Sequence, residues 1–158
     1  MTTGRGVMMD CKRILLAVDT SENSMRAIEY VAQMLGGGCG GEVELLHIVR
    51  LPERDMYPDE EAFDAKLCEQ EEESHAFLDK ARDILLDGGF TDEAVTERQL
   101  CITAPSIAQH ILRIQKEGGF GTIVVGRRGV SKAEEFLFGS VSSKVVHYAK
   151  NCSVWVVG

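Results

Sequence analysis

A glycine-punctuated segment in the last third of the chain has the residue types of an anion-binding loop. It reads Gly126-Arg127-Arg128-Gly129, then nine residues, then Gly139-Ser140. Glycine lets a backbone approach a phosphate closely, and the N–H groups at the start of a helix attract phosphate oxygens. The segment is therefore a candidate phosphate cradle, although a loop of this composition also serves simply to turn the chain between a strand and a helix.

A second polar position follows the first predicted strand. Asp19 comes directly after the apolar run 13–18 and two residues before Ser21. At the carboxyl end of a parallel strand its carboxylate would accept hydrogen bonds from ribose hydroxyls. It would serve equally well as the cap of the helix that follows. The sequence leaves both roles open.

Strand-like and helix-like segments alternate along the chain. The predicted strands cover residues 13–18, 42–49, 95–102, 122–125 and 154–157. The predicted helices cover about 22–35, 61–87, 104–118 and 139–150, with Ala104-Pro105 opening the third. This order predicts an α/β fold: a doubly wound, five-stranded parallel sheet, Rossmann-like or flavodoxin-like, with strand order 3-2-1-4-5 and helices on both faces. Charged and apolar residues alternate in 95–102, which is typical of an edge strand.

The predicted topology brings the two polar positions together. In an open parallel sheet, ligands bind beyond the carboxyl ends of the strands, commonly next to the first strand, where the strand order reverses. The loops after Val18 and Val125 should therefore border one crevice.

The loop spacing is similar to a family signature. Gly126-x2-Gly129-x9-Gly139-Ser140 resembles the ATP-binding motif of the universal stress protein family, G-2x-G-9x-G-(S/T), and matches every fixed position. The resemblance extends over about residues 12–158, through a first strand that ends in Ala-Val-Asp19 and a second that contains Leu-Leu-His-Ile48. One departure is the Arg127-Arg128 pair, where the family commonly has a small residue followed by histidine.

The resemblance implies a nucleotide site with a role for each matched position. Around the adenine it implies Ala17, Ile48 and Val125, although buried strand ends of this kind also serve as plain core. At the ribose it implies Asp19 and Gly126. At the phosphates it implies Gly126, Gly129, Gly139, Ser140 and Val141, with Arg127 adding positive charge. The implied cofactor is ATP, or ADP or AMP, with Mg²⁺ bound through the phosphates.

Length and charge narrow the remaining function classes. The 158 residues suit one domain, 1–158, with residues 1–11 expected to form a flexible extension. Ten acidic residues against two basic ones lie in 53–73, which accounts for the whole net charge of −8 and predicts a solvated face. No basic stripe for nucleic acid and no apolar run of membrane length appears, so we expect a cytoplasmic protein with neither partner.

Several other patterns predict no chemistry. The five cysteines are far apart without a C-x-x-C pair, and apolar neighbours suggest that Cys101 and Cys152 are small core residues. Residues 36–41 satisfy G-x-G-x-x-G, but they follow a helix and precede a strand, which predicts a simple connection. We predict neither a metal site nor a catalytic residue.

The resemblance implies a nucleotide-dependent regulatory or interaction module of the stress response. The alternatives are a slow ATP-hydrolysing or adenylate-forming enzyme, and a dimer that binds no nucleotide. Residues 154–157, with Trp155, form an apolar strand expected at a sheet edge, which predicts a homodimer through that strand unless the N-terminal segment covers it.

Overall fold

The five strands form a single parallel sheet. The computed structural model describes residues 10–38, 40–103, 106–127 and 140–158. The strands are β1 (Asp10–Val18), β2 (Glu42–Arg50), β3 (Val95–Ile102), β4 (Phe120–Gly126) and β5 (Ser153–Val157). Their order is β3-β2-β1-β4-β5, which confirms the predicted fold, and every neighbouring pair is parallel. The order reverses at β1, so the crevice for a ligand lies at the carboxyl ends of β1 and β4.

Helices cover both faces of the sheet. They are α1 (Glu22–Leu35), α2 (Glu60–Asp87), α3 (Ile107–Gly118) and α4 (Ser140–Tyr148), with short 3₁₀ turns at Arg54–Met56 and Asp92–Ala94. Alternate residues of β1 enter two separate cores. Leu16 packs under α1 and α2, whereas Leu15 packs under α3 and α4. Both leucines are fully buried, as expected for a central strand covered on two sides.

The glycine-rich stretch after α1 is a connection, as predicted, and it also allows two helix ends to touch. A Cβ built on Gly36 would lie 1.7 Å from the carbonyl oxygen of Gly88, at the end of α2. Gly89 has a φ of 105°, and a Cβ there would lie 2.5 Å from the backbone nitrogen of Gly37. Side chains at these positions would separate α1 from α2.

The long helix α2 packs mainly through its second half. Its fully buried residues are Ser74, Leu78, Ala81 and Leu85. The first half carries the acidic run, and none of its side chains is fully buried. Asp59 caps the helix by accepting a hydrogen bond from the backbone N–H of Ala62 at 2.8 Å. The acidic stretch is thus largely an ordered, solvated helix face.

Two predictions at element ends need correction. β1 begins at Asp10, so the last two residues of the predicted extension belong to a strand, and residues 1–9 lie outside the described part. The third helix begins at Ile107 and not at Ala104-Pro105, two residues that also lie outside the described part. Ser106 sets this start, because its side chain caps the helix by accepting from the N–H of Gln109.

The placement of Cys101 in the core is wrong. β3 is an edge strand, as predicted, and Cys101 is exposed on it, where it lines an open cavity together with Leu67 and Gln70 of α2. Cys152 is half-buried, and burial raises the pKa of its thiol.

Among the helices described, none combines the length and the apolar character needed to cross a bilayer.

Candidate functional site

A pocket opens at the carboxyl ends of β1, β2 and β4. It encloses about 610 Å³ of space, part of which is open to solvent. Residues of the strand ends, of the first turn of α1 and of the inner faces of α3 and α4 form its lining: Ala17, Val18, Asp19, Ser21, Ser24, Leu46, Ile48, Ile107, Ile111, Val125, Gly126, Val141 and Ser142. The pocket therefore lies where the topology predicts a ligand crevice.

The deep end of the pocket is apolar. Ala17, Ile48 and Val125 are 8%, 8% and 3% exposed, and all three belong to the core between the sheet and α3 and α4. The same side chains also line the pocket. Core packing and pocket lining are thus not exclusive at these positions, and an apolar cleft between strand ends suits a flat aromatic ring.

Asp19 provides the carboxylate at the mouth of the pocket. Its Oδ1 accepts a hydrogen bond from the N–H of Ser21 at 2.9 Å and another from the hydroxyl of Ser24 at 2.9 Å. Asp19 is not the cap of α1: the side chain of Ser21 caps that helix by accepting from the N–H of Ser24 at 3.3 Å. The capping role that the sequence left open therefore belongs to Ser21, and the carboxylate of Asp19 borders the pocket.

Gly126 lets β4 end directly against the first turn of α1. A Cβ at this position would lie 2.7 Å from the carbonyl carbon and oxygen of Asn23 and 2.8 Å from the nitrogen of Ser24. These are backbone atoms, which cannot rotate away as a side chain does. Because Gly126 has no side chain, the end of β4 and the first turn of α1 can approach each other this closely at the pocket.

The universal stress protein family model matches residues 11–158. The chain belongs to the universal stress protein family. Universal stress protein YxiE of Bacillus subtilis (strain 168) is 29% identical over 152 residues, which cover 92% of this chain and 97% of that protein.

Solved structures support the same conclusion at the level of the fold. Protein MJ0577 has a TM-score of 0.75 and 26% identity to this chain, with 93% of this chain and 95% of that chain covered. The universal stress protein from Archaeoglobus fulgidus in complex with dAMP has a TM-score of 0.54 and 21% identity, with 96% and 100% covered.

Four residues of this universal stress protein that were predicted to contact phosphate are not part of the described pocket lining. Two of them lie outside the described residues, and the other two are described but do not line the pocket. Gly129 and Gly139 lie outside the described residues. Ser140 is exposed at the start of α4 and, unlike Val141 next to it, is not part of the described lining. Arg127 is exposed, its N–H donates to the carbonyl of Val157 at 2.6 Å, and the stem of its side chain lies beside the Cα of Gly158.

His47 packs behind the site and does not line it. It lies on the α2 side of β2, with its ring 5.5 Å from that of Phe77, and it is 5% exposed. Its Nδ1 has no hydrogen-bond partner among the described residues. Burial lowers the pKa of His47, and the carboxylate of Asp19 acts in the opposite direction. The ring is therefore mainly neutral at pH 7.

Sequence reasoning missed most of the helix residues of the lining, with Val141 of α4 as the exception. Ser24 is 3% exposed and contributes a hydroxyl, and Ile107 and Ile111 contribute one turn of α3. The spacing of Ser21 and Ser24 is that of a cap and its partner, which is the signal that could have indicated Ser24.

Within residues 10–38, 40–103, 106–127 and 140–158, no group of three or more His, Cys, Asp or Glu side chains is arranged to hold a metal ion.

Proposed function

We propose that this universal stress protein binds ATP, or ADP or AMP, in the pocket and acts in the cytoplasm as a nucleotide-dependent regulatory or interaction module in the stress response. The observation that carries the proposal is a single cleft that is apolar at one end and carries a charged acceptor at the other. Its deep end is formed by buried aliphatic side chains such as Ile48 and Val125, and its mouth carries the Asp19 carboxylate. Adenosine has the same division into a flat base and a hydroxyl-bearing sugar.

The proposal assigns the adenine, the ribose and the phosphates of the ligand to different residues of the protein. The adenine ring lies between Ile48 and Val125, and the ribose hydroxyls donate to the carboxylate of Asp19. The phosphates then extend toward α4, whose positive N-terminal end attracts anions. Gly129 and Gly139 belong to the proposed phosphate contacts, and Mg²⁺ enters bound to the phosphates.

A relative of the same fold supports the ligand class. The protein from Archaeoglobus fulgidus is in complex with dAMP, which contains adenine. Among the described cysteines, Cys68, Cys101 and Cys152 are free thiols, which is consistent with a reducing cytoplasm.

Titration calorimetry with ATP, ADP and AMP, with and without Mg²⁺, tests the proposal. Asp19→Asn keeps the size of the side chain but removes its charge. Loss of a hydrogen bond to a charged acceptor costs about 1.5–3 kcal/mol, so we expect the Kd for ATP to rise about 10- to 100-fold. Asp59→Asn is the matched control, because it makes the same change at a helix cap remote from the pocket and asparagine caps as well as aspartate.

Three outcomes would contradict the proposal in different ways. Absence of ATP binding by the wild-type protein would refute it altogether. Equal losses in Asp19→Asn and Asp59→Asn would refute the assigned pocket. Release of ADP or AMP at more than about one per minute would favour the alternative, an enzyme, although a slow one by the usual standard.

We also propose that two copies of this chain pair along β5. Five large apolar side chains are strongly exposed among the described residues, and four of them lie on the two helices that flank β5. These are Tyr30 and Met34 on α1, and Val146 and Tyr148 on α4. Trp155 of β5 stands edge-to-face against Tyr30 at 6.1 Å. An edge strand with apolar helix faces on both sides is a surface suited to a second copy.

Analytical ultracentrifugation at micromolar concentration tests the dimer. The double substitution Tyr30→Glu and Tyr148→Glu should give a monomer, because it places like charges on both sides of the pairing edge. Met56→Glu is the control: Met56 is 76% exposed, but it lies on the 3₁₀ turn after β2. A monomeric wild-type protein, or a dimer that survives the double substitution, would contradict the prediction.

A further inference from the structure

Ser24 is a buried hydroxyl in direct contact with the carboxylate of Asp19. Its side chain is 3% exposed and lies on the pocket side of the first turn of α1. The Oγ of Ser24 accepts a hydrogen bond from the backbone N–H of Asp19 at 2.8 Å and donates one to Oδ1 of the same residue at 2.9 Å. A single hydroxyl thus holds both the backbone and the side chain of Asp19.

These two bonds determine the orientation of the carboxylate. Because the hydroxyl has one proton, accepting from the Asp19 N–H leaves that proton for Oδ1. The N–H of Ser21 donates to the same oxygen at 2.9 Å, so Oδ1 is fixed by two donors. A carboxylate has about four acceptor positions, so the two bonds at Oδ1 use about half of them.

The position of Ser24 is itself fixed from behind. The Cα of Gly126 approaches the backbone nitrogen of Ser24 so closely that an added Cβ would lie 2.8 Å from it. The N–H of Ser24 donates to the cap residue Ser21. The first turn of α1 therefore has no room to move toward β4.

We propose that Ser24 is a positioning residue that orients the Asp19 carboxylate toward the sugar hydroxyls of a nucleotide. The inference rests on the proposed nucleotide binding and deepens it, because it predicts selectivity for ligands that carry sugar hydroxyls. Ser24 itself does not contact the ligand in this arrangement. Its contribution depends on the presence of both the Asp19 side chain and the ligand hydroxyls.

The experiment measures the Kd of ATP and of 2′,3′-dideoxy-ATP for the wild type, Ser24→Ala, Asp19→Ala and the double variant. We expect Ser24→Ala to weaken ATP binding about tenfold, as the loss of one well-formed hydrogen bond would, and to change dideoxy-ATP binding by less than about twofold. In the Asp19→Ala background, the further change to Ser24→Ala should cost less than about twofold for either ligand.

Two further variants separate positioning from general loss of structure. Ser24→Cys keeps nearly the same volume but donates only a weak hydrogen bond, so it should give the same selective loss if Ser24→Ala does not fold. Asp59→Ala removes the cap of α2 and lowers the melting temperature without touching the pocket, so it should leave both Kd values within about twofold of the wild type.

The outcomes distinguish this inference from the proposed function. If the wild type binds ATP and both Ser24 variants bind it as tightly, the role of Ser24 is refuted and nucleotide binding stands. Equal losses for ATP and dideoxy-ATP would also refute it, because they would indicate a structural role. If the wild type binds neither ligand, the proposed function itself fails.

Discussion

Gly126→Ala tests how closely β4 and α1 approach each other. The added methyl group would lie 2.7 Å from the carbonyl carbon and oxygen of Asn23 and 2.8 Å from the nitrogen of Ser24. Such contacts are well inside van der Waals distance, and backbone atoms relieve them only if α1 moves. Overpacking of this kind costs about 1–3 kcal/mol, so we expect the free energy of unfolding to fall by about 2 kcal/mol. For a domain of about 150 residues this corresponds to a drop in melting temperature of about 4–8 °C.

The same substitution should weaken nucleotide binding. Moving the start of α1 displaces Ser24 and with it the carboxylate of Asp19, so the Kd for ATP should rise by about tenfold or more, the effect of one lost hydrogen bond. Melting followed by circular dichroism measures the stability, and calorimetry measures the Kd.

Gly40→Ala is the control for stability loss alone. A Cβ on Gly40 meets nothing within 4 Å, but its φ of +65° is a left-handed conformation. A side chain in that conformation costs about 1–2 kcal/mol, so stability should fall while the Kd stays within about twofold of the wild type. A Gly126→Ala protein with wild-type melting temperature and ATP affinity would refute the reasoning.

Three further predictions concern the rest of the fold. Because burial lowers the pKa of His47 from its ordinary value of 6.5, the unfolded chain binds the proton more readily. The free energy of unfolding should therefore fall as the pH drops below about 6.5, and His47→Leu should flatten that dependence in urea titrations. Arg82→Lys should lower the melting temperature by about 2–4 °C, because lysine cannot reproduce the guanidinium bonds to Asp92 and to the carbonyl of Val95. Gly36→Ala should cost about 1–3 kcal/mol in chemical unfolding, because its Cβ would overlap the carbonyl oxygen of Gly88.

Each of these has an outcome that would contradict it. A pH profile of His47→Leu that is identical to the wild type would mean that His47 does not titrate differently on unfolding. An unchanged melting temperature for Arg82→Lys would mean that the guanidinium bonds contribute nothing. Wild-type stability of Gly36→Ala would mean that the two helix ends are not in contact.

The fold was predictable because the spacing of apolar residues identifies each strand and helix, and glycine or polar residues mark where each one ends. β1 and β4 appear in the sequence as nearly continuous apolar runs, and each ends at a polar residue or a glycine. Parallel topology then brings those ends to one edge of the sheet, so Asp19 and Gly126 could be placed beside one crevice from the sequence. Ala17, Ile48 and Val125 were assigned to the same site only through the resemblance to the family signature.

The remaining pocket residues lie on helices, and their place in the pocket depends on which face of each helix packs against the strand ends. The sequence alone does not specify that face. Ile107 and Ile111 repeat at helical spacing in any buried helix, so nothing marked them as pocket residues. Ser24 needed the geometry of the first turn, where Ser21 takes the cap and leaves Asp19 to the pocket. Cys101 was misplaced because its apolar neighbours do not indicate that it is exposed on an edge strand.

A crystal structure of the protein grown with ATP tests the central claim most directly. We predict an adenine ring between Ile48 and Val125, ribose hydroxyls within hydrogen-bond distance of Asp19, and phosphates at the start of α4. A pocket that stays free of nucleotide at millimolar ATP, or a nucleotide bound elsewhere on the molecule, would contradict the claim.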